Sequence, residues 1–132
     1  MNLLTAWISY GVDNQFSGYL AKPAADAGSL PAVLVLQEIW GVDEHIRSVT
    51  DRFAMSGYVA FAPDLYALNG KHPDPLKPER IARFKAFRDS LPIGVWGNQE
   101  ASAQALAEKP EKEREELIET QKMIFQRDIH GY

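Results

Sequence analysis

A short, uninterrupted aliphatic run most restricts the folds open to this chain. Residues 32–36 have the sequence AVLVL, in which apolar and polar side chains do not alternate. Such a run is typical of a strand buried on both faces, as in a parallel sheet covered by helices. A second run, YVAFA at residues 58–62, ends at Pro63. Asp43 suits a helix N-cap and Gly57 suits the position after a helix end, so the sequence predicts a βαβ unit.

Further elements are predicted on both sides of this unit. Residues 3–10 and 16–21 favour two strands of a β-hairpin, since a turn sequence separates them. Helices are predicted at residues 78–88, at residues 98–107 and from Pro110 onward. The apolar face of the helix in the βαβ unit is predicted to comprise Ile46, Val49, Phe53 and Ala54. The stripe of the last helix is predicted to comprise Leu117, Ile118, Gln121, Ile124, Phe125, Ile129 and Tyr132.

Composition excludes several classes of protein. The 132 residues fit one domain. The net charge of −4 lacks the positive potential that binding to nucleic acid or to an anionic membrane requires. With no cysteine, the sequence excludes disulfides and a cysteine nucleophile within this chain. No apolar stretch approaches the length of a membrane helix, and the first residues lack the pattern of a secretory signal. These features predict a cytoplasmic location.

Motifs for cofactors and metals are missing from the sequence. It contains no Gly-x-Gly-x-x-Gly, no P-loop and no Gly-x-Ser-x-Gly pattern. His45, His72 and His130 share no metal-ligand spacing with one another. The sequence therefore predicts no cofactor and no metal site, and it gives no complete Ser-His-Asp triad.

The turn after the first aliphatic run is where chemistry is expected, because open α/β sheets bind ligands at the carboxyl ends of their strands. Glu38 lies there, and a carboxylate beside aliphatic residues needs a partner or a polar cavity. It could equally cap the following helix. Trp40 is interpreted as a packing residue or as a surface for substrate. Asp64, after the second strand, is expected to accept hydrogen bonds from backbone amides of its turn.

Two motifs in this region resemble a known family. Residues 33–42, VLVLQEIWGV, and residues 57–66, GYVAFAPDLY, resemble two motifs of the dienelactone hydrolase family of α/β-hydrolases. The resemblance implies an α/β class and a partial α/β-hydrolase fold, with residues 1–132 as roughly the N-terminal half of the domain. That half comprises an N-terminal hairpin, the βαβ unit and C-terminal helices, and it lacks the strand that carries the nucleophile.

The resemblance also implies roles for individual residues. Glu38 matches the glutamate that contacts a cysteine nucleophile and helps to control its protonation. Ile39 matches the position whose backbone N–H forms half of the oxyanion hole. Arg80 and Arg83 are both candidates for the arginine that binds a substrate carboxylate, and either could instead be a solvated helix residue. Trp40, from its place in the turn rather than from the resemblance, is a further candidate for substrate binding.

The nucleophile, aspartate and histidine of the family would lie beyond Tyr132, so the isolated chain is expected to be nearly inert. The strand at residues 32–36 would then be a sheet edge, which tends to pair with other chains. We expect a homodimer or association with a second polypeptide, and a small-molecule ester or lactone as substrate once the site is complete. The alternatives are a non-catalytic α/β interaction module and a small enzyme that uses Glu38 and Asp64 as a carboxylate pair.

Overall fold

The chain folds into two compact units, the first ending at Leu76 and the second beginning at Lys77. A computed structural model describes residues 2–25, 28–95 and 98–125, apart from the side chains of Gln99 and Phe125. The first unit is a β-sheet with a helix, and the second is helical. No helix within the described ranges is long and apolar enough to span a membrane.

The first unit contains a mixed sheet with the strand order β1-β2-β4-β3. Its strands are β1 (Leu3–Tyr10), β2 (Phe16–Pro23), β3 (Ala32–Leu34) and β4 (Val59–Pro63). β1 and β2 form the predicted antiparallel hairpin, and β2 also pairs antiparallel with β4. β3 pairs parallel with β4, and α1 (Glu44–Met55) connects them. The predicted hairpin and βαβ unit are therefore both confirmed.

Local signals set the ends of α1. The Asp43 side chain accepts a hydrogen bond from the Ile46 N–H at 3.0 Å, as predicted for an N-cap. Gly57, just past the helix, has a φ of 98°, a conformation that glycine adopts without strain. The predicted apolar face is wrong at Phe53, which is 40% exposed, whereas Thr50 is fully buried. Burial of Thr50 is tolerated because its hydroxyl donates to the Ile46 C=O at 2.7 Å.

The core of the first unit lies between α1 and one face of the sheet. Ala21, Ala60 and Ala62 are fully buried there, and these small side chains allow the helix and the strands to approach closely. Tyr19 belongs to the same cluster, and its hydroxyl donates to Asp51 Oδ1 at 2.8 Å. Burial and this hydrogen bond raise the pKa of the Tyr19 phenol, so the fold favours its neutral form.

The predicted burial of residues 32–36 on both faces is wrong. Leu34 and Leu36 are 68% and 66% exposed, whereas Val35 is buried and its N–H donates to the Phe61 C=O at 2.9 Å. The physical reason is position: β3 lies at the edge of the described sheet. Alternate residues of an edge strand face away from α1, and no described element of this unit covers them.

The second unit consists of helices near the predicted positions. They are α2 (Pro78–Asp89), α3 (Gln99–Ala107) and α4 (Glu111–Phe125). Asn98 caps α3, since its side chain accepts a hydrogen bond from the Ala101 N–H at 3.1 Å. The three predicted helices are confirmed.

The core of the second unit is a cluster of four buried apolar side chains, Phe84, Phe87, Leu106 and Leu117. Leu117 is 2% exposed and is among the most completely buried large side chains of the described chain. Within the predicted stripe of α4, Leu117 is buried, and Ile118, Gln121 and Ile124 are half-buried. The rest of the predicted stripe, the Phe125 side chain, Ile129 and Tyr132, lies outside the described residues.

Candidate active site

A tight turn follows β3 at its carboxyl end. The Gly41 N–H donates to the Glu38 C=O at 3.1 Å, which closes a β-turn over residues 38–41. Gly41 has a φ of 90°, and a Cβ at this position would stand 3.4 Å from the Tyr66 ring. The backbone conformation and the neighbouring ring both favour glycine here.

The backbone of Ile39 has one hydrogen-bonded group and one unpaired group among the described residues. Its C=O accepts a hydrogen bond from the Tyr66 hydroxyl at 2.8 Å. Its N–H bonds to no acceptor within residues 2–25, 28–95 and 98–125. The side chain is 42% exposed. The amide proton of Ile39 is therefore available to an acceptor on a ligand.

Hydrogen bonds tie this turn to the segment after β4. The Gln37 side chain accepts from the Leu65 N–H at 2.8 Å and donates to the Glu38 C=O at 3.2 Å. The Leu76 N–H donates to the Trp40 C=O at 2.8 Å. Sequence reasoning missed Gln37 and Tyr66, although a polar residue directly after an aliphatic run was a usable signal.

Glu38 lies in this turn with its side chain exposed. Asp43, not Glu38, caps α1, so the capping interpretation of Glu38 is wrong. No described residue forms an ion pair or a hydrogen bond with the Glu38 carboxylate. The carboxylate needs no protein partner because water solvates it at the edge of the sheet.

Asp64 has the structural role predicted from its position. It is 2% exposed, and its Oδ1 accepts a hydrogen bond from the Tyr66 N–H at 2.8 Å. Its own N–H donates to the Ser17 C=O at 2.9 Å. This carboxylate therefore fixes the turn after β4, an arrangement that does not favour a catalytic pair with Glu38.

Arg80 and Arg83 lie on α2, in the second unit, and both contact α4. Arg83 donates to both oxygens of Glu116, at 2.7 and 2.9 Å. This contact lowers the pKa of the Glu116 carboxyl and raises the pKa of the Arg83 guanidinium, although exposure keeps its contribution to stability small. Arg80 is half-buried, and its Nε donates to Thr120 Oγ1 at 2.8 Å, with a Glu119 oxygen 3.6 Å from Nη2.

The turn thus brings together three of the predicted site residues: Glu38, Ile39 and a half-buried Trp40. The two arginines belong to the other unit. In the described part of the chain, no group of three or more His, Asp or Glu side chains is placed to hold a metal ion.

Comparison with known proteins identifies the family. The dienelactone hydrolase family model matches residues 16–120, most of the chain. The chain belongs to the dienelactone hydrolase family. Several curated relatives carry the name "Putative carboxymethylenebutenolidase", among them one from Synechocystis and one from Salmonella typhi. The Synechocystis relative is 58% identical over 52 residues, which is 39% of this chain and 21% of that protein. The Salmonella typhi relative is 52% identical over 56 residues, which is 42% of this chain and 21% of that protein.

A solved structure agrees with this membership. The structure named m3DLH is 25% identical to this chain, with a TM-score of 0.51, over 80% of this chain and 40% of that one. This dienelactone hydrolase family chain therefore has a partial α/β-hydrolase fold and spans less than half the length of the solved structure it matches.

Proposed function

We propose that this chain supplies the oxyanion side of an active site that hydrolyses esters or lactones by acyl transfer. One observation carries the proposal: the Ile39 N–H has no acceptor among the described residues and lies in a hydrogen-bonded turn at the carboxyl end of β3. A fixed backbone donor of this kind stabilises the negative charge that develops on the carbonyl oxygen in acyl transfer. Family membership and the names of the curated relatives support the same reaction class.

The proposed chemistry divides between this chain and residues outside it. A nucleophile from outside these 132 residues attacks the carbonyl carbon, and the oxygen of the tetrahedral intermediate accepts a hydrogen bond from the Ile39 N–H. Collapse of the intermediate breaks the bond to the alkoxide, which leaves as the alcohol after taking the proton that the nucleophile lost, and water then hydrolyses the acyl-enzyme. Glu38 helps to control the protonation of the nucleophile, and Trp40 contacts the substrate. Arg80 and Arg83 are the candidates for binding a substrate carboxylate.

Complementation tests this proposal. We would co-express the chain with the C-terminal half of the Synechocystis relative and measure ester hydrolysis by the purified complex, called here the complemented enzyme. The isolated chain should stay at background, because removal of a catalytic triad costs orders of magnitude in rate. Glu38→Gln should lower the kcat of the complemented enzyme by about tenfold, since it removes a group that sets protonation.

Glu44→Gln is the matched control, because Glu44 is an exposed carboxylate on α1 close in sequence to the turn. It should leave kcat unchanged. A complemented enzyme without activity would contradict the proposed function, and equal activities of wild type and Glu38→Gln would remove Glu38 from the mechanism. Activity of the isolated chain would contradict the assignment of the nucleophile to residues outside it.

The exposed edge of β3 favours a second candidate function, association with another chain. Leu34 in β3 and Leu36 just after it are exposed, and residues 30–36 carry no charge that would oppose strand pairing. In native mass spectrometry, we expect the 14.8 kDa chain as a homodimer or with a second polypeptide. Leu34→Lys should shift the population to monomer, whereas Leu4→Lys, at a 52% exposed position on β1, should not. A wild-type chain that remains monomeric at high concentration would contradict this candidate.

A further inference from the structure

We infer that Gln37 and Tyr66 are positioning residues, which orient and polarise the Ile39 N–H for binding an oxyanion. This inference rests on the proposed function and deepens it. It starts from the peptide that joins Glu38 to Ile39, whose two polar groups are the Glu38 C=O and the Ile39 N–H. Because a trans peptide is planar, these groups point in opposite directions, and fixing one fixes the other.

The carbonyl end of that peptide is held by two donors. The Gly41 N–H lies 3.1 Å from the Glu38 oxygen, and Gln37 Nε2 lies 3.2 Å from it. Both bonds draw electron density toward the oxygen, which makes the N–H at the other end of the peptide a stronger donor. Gln37 itself is held in place, because its Oε1 accepts from the Leu65 N–H at 2.8 Å.

Tyr66 fixes the next peptide of the turn. Its hydroxyl donates to the Ile39 C=O at 2.8 Å, and its ring faces Gly41. Tyr66 is buried, and its own N–H is bonded to Asp64 Oδ1 at 2.8 Å, so the ring is anchored at both ends. The peptides on both sides of the Ile39 Cα are therefore held by side chains, and the donor needs little reorganisation when charge develops.

Two nearly isosteric variants test the inference. Gln37→Glu keeps an acceptor for the Leu65 N–H but removes the donor to the Glu38 C=O. Tyr66→Phe keeps the ring and removes the hydroxyl. Tyr19→Phe is the control, since it also removes a hydroxyl that makes a 2.8 Å hydrogen bond, but in the core beneath α1.

The first readout uses the isolated chain. Each turn variant should accelerate hydrogen exchange of the Gly41 amide, measured by NMR, by about fivefold, because one hydrogen bond that stabilises the turn is lost. Tyr19→Phe should leave the exchange rate of the Gly41 amide unchanged relative to the rates of neighbouring amides. Unchanged Gly41 exchange in both turn variants would overturn the inference, whether or not the complemented enzyme is active.

The second readout is the kinetics of the complemented enzyme. A residue with a merely structural role would not lower kcat while leaving KM unchanged. Gln37→Glu and Tyr66→Phe should each lower kcat by about tenfold and leave KM within about twofold, because the donor acts on the transition state. Tyr19→Phe should change neither. Unchanged kcat in both variants of an active complex would overturn the inference. An inactive wild-type complex would instead contradict the proposed function, and Gly41 exchange would then decide the inference alone.

Discussion

Ile39→Pro should lower the kcat of the complemented enzyme by about 10²–10³-fold, the usual effect of removing one oxyanion donor. Proline lacks the backbone N–H but should fit this position. Ile39 is the second residue of the turn at residues 38–41 and has a negative φ, the conformation that proline favours at that place in a β-turn. The preceding residue, Glu38, lies in a β-bridge, which also suits a residue before proline.

Ile39→Ala is the matched control for this substitution. It removes more side chain than proline does but keeps the N–H, so kcat should stay within about twofold of wild type if the backbone donor acts alone. Far-UV circular dichroism of both variants should match wild type. Equal kcat values for the proline and alanine variants would exclude the Ile39 N–H as the oxyanion donor.

Leu117→Ala should lower the free energy of unfolding of the helical unit by about 2–5 kcal/mol, measured by urea denaturation. Leu117 packs against Phe84, Phe87 and Leu106 with 2% of its surface exposed. Its truncation leaves a cavity among residues from three helices and removes a large part of a small core. Such a loss is comparable to the whole stability of a small helical unit.

Ile93→Ala is the control for this effect. It truncates a branched aliphatic side chain in the same unit, at a position that is 96% exposed. The free energy of unfolding should therefore change by no more than about 0.5 kcal/mol. If both substitutions lowered the free energy of unfolding by a similar amount, packing around Leu117 would not determine the stability of the unit.

Local chemistry explains why much of the fold was predictable. Asp43 and Gly57 mark the ends of α1 through contacts a few residues away, and these contacts can be recognised in a sequence window. The parallel pairing of β3 with β4 followed from two aliphatic runs joined by one helix. Burial on the two faces of β3 was not predictable in the same way, because it depends on which elements lie beside the strand.

The candidate site was predictable only as a place in the chain. Sequence patterns predicted chemistry in the turn after the first aliphatic run, and Glu38 and Ile39 lie in that turn, at the carboxyl end of β3. The hydrogen bonds from the Leu65 N–H to Gln37 and from the Tyr66 hydroxyl to Ile39 join residues that are 28 and 27 positions apart. No local pattern encodes such contacts, because they depend on the pairing of β3 with β4.

The strand order also sets a sequence of events during biosynthesis. β4 leaves the ribosome after the other three strands, yet it lies between β2 and β3 and pairs with both. The β1–β2 hairpin can form early through local contacts, whereas β3 has no partner until β4 is available. Pairing of distant segments is slow, and unpaired strands are prone to aggregation. The nascent chain therefore passes through a period in which chaperone binding would protect the aliphatic segment of β3.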